Sequence, residues 1–142
     1  MYYECFKSAK GSDDKALYAR NIGCLLFNRM QLDKAEKYLK YAFDNIKDFK
    51  VEGNLYNYLV CRHLYCLCLI RRNDRKNAYE NLKKNIQIVI NQNIHLSSEN
   101  VRKEVGDFVR SYAKENNLNQ EEDLKMLQFY NSNDHNQKKE TI

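Results

Sequence analysis

Apolar positions in this chain recur every three or four residues over most of its length, and no stretch alternates apolar and polar side chains as a strand would. The pattern predicts helices over 2–10, 15–30, 33–49, 53–72, 75–93, 98–116 and 120–131. Asp13 or Asp14 is placed to cap the second, and Asp33 or the turn before it begins the third. Ser97 and Ser98 open the sixth, with Glu99 near its positive end. Connections such as "MQLD" and "RNDR" are short, which forces neighbouring helices to pack antiparallel. Beyond Asn131 the chain is polar and without period, so 132–142 is expected to be a disordered tail.

The smallest side chains within this pattern keep a fixed spacing. Gly23 precedes Ala35 by twelve residues, Leu39 follows four later and Ala42 three after that. Antiparallel helices approach to about 8–10 Å, and the nearer limit requires small residues where they cross. Gly23 and Ala35 are therefore expected at the crossing of one helix pair, with Leu39 beside them and Ala42 admitting the next unit. The same spacing returns at Cys66, Ala78 and Leu82, with Asn85 at the third small site. Tyr2, Phe6 and Ala9 repeat the second half of the pattern, as if a unit lacked its first helix. Repetition of this kind signals a solenoid.

The pattern resembles the tetratricopeptide repeat family. The matching residues are Ile22, Gly23, Leu26, Leu32, Ala35, Leu39 and Ala42, then Tyr65, Cys66, Leu69, Ala78 and Leu82. A third segment, "VGDFVRSYAKENNLNQEEDLKMLQFY", keeps the helix–turn–helix outline without the alanine at the turn. The fold implied is all-α, an antiparallel helix-pair solenoid of about seven helices. Its divisions are a half repeat at 1–14, repeats at 15–52 and 53–95, and a degenerate repeat at 97–131. The good copies stand 43 residues apart, longer than the family's usual repeat, and an enlarged turn around "FKVEGN" accounts for the excess. Longer repeats are a feature of the branch that includes kinesin light chains and bacterial peptide-sensing regulators. The family's closing proline is absent, as proline is from the whole chain.

Composition narrows the setting more than the function. Net charge is +5, yet from Lys114 onward four Lys face six acidic residues, so the body is more basic than the whole. A basic body can attract nucleic acid, an anionic surface or an acidic peptide, although solvated helix faces in which Lys outnumbers Glu are the preferred account. Five cysteines in apolar contexts read as reduced thiols packing as small hydrophobes, which points to a cytoplasmic, reducing compartment. The longest apolar run, 55–70, is shorter than a membrane span and carries Arg62 and His63, so no membrane role is expected.

Candidate chemistry is sparse. The four glycines are scattered and form no phosphate-binding loop. Cys66 and Cys68 project to different faces of one helix, and only His63 and Cys66 share a side, so no metal site is formed. A His63–Cys66 nucleophile couple would have no pocket of its own. The sequence therefore predicts no catalytic residues, no metal and no cofactor.

Binding is the stronger expectation. In a helix-pair solenoid the first helix of each pair lines the concave surface. Helical spacing places Leu17, Arg20, Asn21, Cys24 and Asn28 on that side of one helix, and Val60, His63, Leu64 and Leu67 on the equivalent side of another. An Asn21 amide can both donate to and accept from a peptide backbone, and Arg20 can meet an acidic side chain or a C-terminal carboxylate. The resemblance points to the same place, since an asparagine two residues before the small site often grips peptide in that family. It also implies that the carboxylate clamp of chaperone-binding relatives is incomplete, because Leu64 stands where a polar residue is needed. His63 would make such binding pH-sensitive if it faced the groove.

The function expected is thus a non-catalytic interaction module that takes a protein or peptide partner, or a scaffold subunit within a larger assembly. A peptide-sensing regulator without its DNA-binding domain is the alternative. RNA binding through "RRNDRK" with Tyr65 and Tyr79 ranks third, because those tyrosines sit at packing spacings. Tyr2, Tyr3 and Phe6 would leave an apolar N-terminal end open to self-association.

Overall fold

The computed structural model describes residues 12–92 and 99–140. All regular structure there is helical: α1 (Ser12–Asn28), α2 (Leu32–Asn45), α3 (Asn54–Arg71), α4 (Arg75–Gln92), α5 (Glu99–Glu115) and α6 (Glu121–Glu140). Six helices are present among the described residues. The helix expected at 2–10, with Tyr2, Phe6 and Ala9, lies outside them, as do Ser97 and Ser98. The chain divides into two compact units, Met1–Ala78 and Tyr79–Ile142.

The first unit is built on α1, α2 and α3. Ala16, Ala19, Ile22 and Gly23 form the buried stripe of α1, and Ala35, Leu39, Ala42 and Phe43 that of α2. These are the intervals of a helix with one face against a neighbour. At the α1–α2 crossing, a Cβ built on Gly23 would fall 2.8 Å from Leu39 Cγ, 2.9 Å from its Cδ2 and 3.3 Å from its backbone nitrogen. No real Cβ tolerates the first two distances. The regular placement of Gly23 thus reflects a contact that only a hydrogen atom fits.

Helix α3 packs on both α1 and α2 and is buried over most of its circumference. Phe43 of α2 meets Tyr65 and Tyr58 edge-on at 5.2 and 6.0 Å, and the Arg62 guanidinium lies 5.6 Å above its ring. Arg72 closes the far end on Asp33 and Glu36. Helix α2 ends at Asn45, four residues earlier than the periodicity suggested. The cause is local: Ile46 turns extended and buries itself, Asp48 accepts from the Lys50 backbone N–H, and Asn54 donates to the Asp48 carbonyl. Gly53, at φ 86°, leads into α3. This eight-residue connection, 46–53, contains the enlarged turn expected from "FKVEGN".

In the second unit the buried apolar residues include Leu82, Ile86 and Val89 on α4, Val105, Phe108 and Val109 on α5, and Met126 and Tyr130 on α6. Tyr79 and Tyr112 lie against each other with centroids 4.8 Å apart and rings tilted by 31°. The Tyr79 hydroxyl donates to the buried Asp123 carboxylate at 2.7 Å, and Lys83 reaches the same oxygen at 3.4 Å. The other Asp123 oxygen accepts from the Gln120 backbone N–H, half of a capping box at the start of α6. Helix α6 runs on to Glu140, past the tail boundary at 131; Gln137, Lys138, Lys139 and Glu140 favour helix, and no Gly or Pro interrupts them.

The three helix–turn–helix segments share one turn. Met30, Asn73 and Asn117 are the non-glycine residues with positive φ among those described, at 62°, 66° and 53°. Each follows a helix end closed by the same pair of bonds. Gln31 N–H donates to Leu26 O and Met30 N–H to Phe27 O; Asp74 and Asn73 donate to Leu69 and Ile70; Leu118 and Asn117 donate to Ala113 and Lys114. This is the Schellman arrangement. The turns recur 43 and 44 residues apart, so the segment without the alanine signature carries the same local geometry as the other two.

Candidate functional site: the face shared by α1 and α3

Helices α1 and α3 contact each other within the first unit, and Arg20 and Cys24 of α1 act electrostatically on the buried Cys61 of α3. On α1, Leu17 and Asn28 are exposed, while Arg20, Asn21 and Cys24 are half-buried. On α3, Val60 and Leu64 are half-buried. These seven of the nine residues proposed from spacing are accessible. The other two are not. His63 is 2% exposed and Leu67 fully buried, so both belong to the core and cannot line a surface. Helical spacing could not show that neighbours cover these two residues and leave Val60 and Leu64 accessible.

Arg20 is the charged group of this face. One of its Nη atoms donates to Asn21 Oδ1 at 3.4 Å, and its Nε is buried without a partner. Its positive charge bears on Cys24 and Cys61, holding their thiol pKa values lower than burial alone would. Burial still dominates: it raises the Cys24 thiol and pushes Cys61 up to about 12. Cys68 is also pushed up to about 12 by burial, and Cys66 is raised in the same way. Thiols held protonated are the opposite of activated nucleophiles. His63 does not alter this, since neither ring nitrogen has a hydrogen-bond partner, Cys66 included. Among the described residues no group of His, Cys, Asp and Glu could hold a metal ion, and no helix is long and apolar enough to cross a membrane.

Two other places were open to a functional reading. The "RRNDRK" stretch is the turn between α3 and α4, where Arg71 lies 5.1 Å above Phe27 and Arg72 is bound to Asp33 and Glu36. Tyr65 and Tyr79 are each buried, at 5% and 2% exposure, and have no ring face to offer a base. Nearby, a shallow cleft of about 360 Å³ is lined by Met30, Gln31, Leu32, Asp33, Lys34 and Arg72. Of its two cations, Arg72 is already committed to two carboxylates, and Lys34 is exposed. Comparisons with protein-family models, with curated proteins and with solved structures gave no match.

Proposed function

We propose that this chain is a non-catalytic protein-interaction module of tetratricopeptide-like helix pairs, acting as a scaffold or as a subunit of an assembly. Its α1/α3 face receives an extended or helical segment of a partner protein. The observation that carries the proposal is the mixed character of that face. Leu17, Val60 and Leu64 supply accessible apolar area, and Arg20 and Asn21 supply polar groups that its own side chains leave largely unused. Partner grooves combine apolar anchors with a few oriented polar groups in the same way.

The repeated turn supports the repeat architecture on which this reading depends, and the Gly23–Leu39 contact supports a rigid platform beneath the face. The high thiol pKa values speak against a cysteine nucleophile. Burial of Tyr65 and Tyr79 speaks against the RNA alternative at 71–76. The test is crosslinking followed by affinity purification of the full chain from its native cell. Asn21→Ala should reduce capture of a specific partner at unchanged helicity, whereas Lys37→Ala, at an exposed position on α2, should not. Equal loss with both variants, or with neither, would remove the face from the site.

A further inference from the structure

We propose that the outer face of α2, with the connection that follows it, docks single-stranded nucleic acid. It uses other residues than the α1/α3 face and the 71–76 turn, so this role is separable from protein capture. Lys34, Lys37, Tyr38 and Tyr41 recur at helical spacing on the accessible side of α2, outside the buried stripe of Ala35, Leu39, Ala42 and Phe43. Both lysines are exposed and both tyrosines are half-buried. Just beyond the end of α2, Lys47 and Lys50 are exposed and Phe49 is 46% exposed. The connection pins that segment in place. The Asp48 carbonyl accepts from the Val51 N–H and the Asn54 amide, and the Phe49 ring meets Tyr58 edge-on at 5.1 Å.

The positive charge of this surface is left over for a ligand. Every acid of α2 already has a cation: Arg72 reaches Asp33 at 3.1 Å and also holds Glu36, and Lys40 holds Asp44 at 2.7 Å. Lys34, Lys37, Lys47 and Lys50 enter no ion pair. Against them stand Asp48, whose Oδ1 accepts from the Lys50 N–H, and the exposed Glu52, so cations remain in excess. Lysines meet phosphates as point charges, and a row of them suits a phosphate backbone. The row holds no arginine to grip a carboxylate in two places, as an acidic peptide would require. Tyr38, Tyr41 and Phe49 lie among the lysines and supply aromatic surface on which bases can stack. An anionic bilayer would need apolar side chains free to enter it, and the two tyrosines are half-buried.

The test measures fluorescence anisotropy of a labelled short oligouridylate against the full chain over a range of salt concentrations. A Glu/Gly peptide of the same net charge and phosphatidylserine-containing phosphatidylcholine vesicles are the competing probes. The oligouridylate should bind more tightly than either. Lys34→Gln combined with Lys37→Gln should reduce the slope of log K against log salt by about 1.4, at about 0.7 for each phosphate contact on a single strand. Lys76→Gln combined with Lys103→Gln removes the same charge from exposed positions elsewhere and should leave the slope as it was. Phe49→Leu should weaken binding about fivefold or more, the loss of one stacked base. Should Phe49→Leu lose helicity by circular dichroism, the two lysine pairs decide. The proposal is overturned if the oligouridylate does not bind, or if the peptide or the vesicles bind as tightly. Equal slopes for the two lysine pairs, or full affinity in a folded Phe49→Leu, overturn it as well.

Discussion

Replacing Gly23 by alanine tests the packing beneath the proposed face. In an unencumbered helix the change is favourable by about 1 kcal/mol, because glycine is the more flexible residue in the unfolded chain. Here the new methyl would sit 2.8 and 2.9 Å from Leu39 side-chain carbons and 3.3 Å from its backbone nitrogen. Leu39 is fully buried, so α1 and α2 must separate or Leu39 must leave its rotamer. Overpacking of that kind costs about 1–3 kcal/mol, which outweighs the helix gain. Gly23→Ala is therefore expected to lower the urea midpoint followed by circular dichroism. Gly106→Ala in α5 is the control. Its methyl would meet Arg110 and Tyr130 atoms at 3.4–3.5 Å, ordinary contact distances, so that variant should be stabilised by roughly 0.5–1 kcal/mol. Leu39→Ala alone should cost about 2–5 kcal/mol, yet adding Gly23→Ala to it should cost nothing further, since the obstructing carbons are gone. Stabilisation by Gly23→Ala matching that by Gly106→Ala, with no coupling to Leu39, would refute the reasoning.

Three further outcomes follow from individual residues. Met30→Gly should raise stability by about 1 kcal/mol in the same melts, because Met30 occupies a left-handed conformation that disfavours any side chain; no gain would place the cost elsewhere. Tyr79→Phe should lower stability by about 1.5–3 kcal/mol, since it leaves the buried Asp123 carboxylate short of one donor, with Lys83 and the Gln120 N–H remaining. His63 gives a pH dependence. Burial lowers its pKa from 6.5 to about 4, so the unfolded chain takes up the proton first. The stability linked to it is complete above pH 6.5 and is lost as pH falls through 4, in total about 3 kcal/mol. His63→Leu should flatten that part of the acid limb in urea titrations at successive pH values, and an unchanged slope would refute the assignment.

Much of the architecture could be read from residue spacing because small side chains at a helix crossing leave a periodic trace. Gly23, Ala35, Leu39 and Ala42 are all buried, as that trace required. The third helix–turn–helix was legible only in outline. Its link to the others is the left-handed turn residue, and Asn73 and Asn117 were the available signal, whereas Met30 in the equivalent place carries no such hint. The early end of α2 escaped notice because Asp48, Lys50 and Asn54 act through local hydrogen bonds that hydrophobic periodicity does not register. For the candidate site, periodicity gave direction without coverage. It separated Arg20 and Asn21 from the packed stripe correctly, but it treated His63 and Leu67 as equivalent to Val60 and Leu64. Whether a side chain on one side of α3 is covered depends on its neighbours. Nor could spacing reveal that Arg20 Nε is buried without a hydrogen-bond partner, since that is a fact about what the fold brings near it.

The most direct measurement of the docking role is site-specific photocrosslinking in the native cell, with a benzophenone side chain placed in turn at Leu17, Leu64 and Lys37. The first two lie on the α1/α3 face, and the third is exposed on α2. Adducts from positions 17 and 64 should map to one segment of a single partner, with none from position 37. Adducts from position 37 alone, or the same scattered set from every position, would contradict the account.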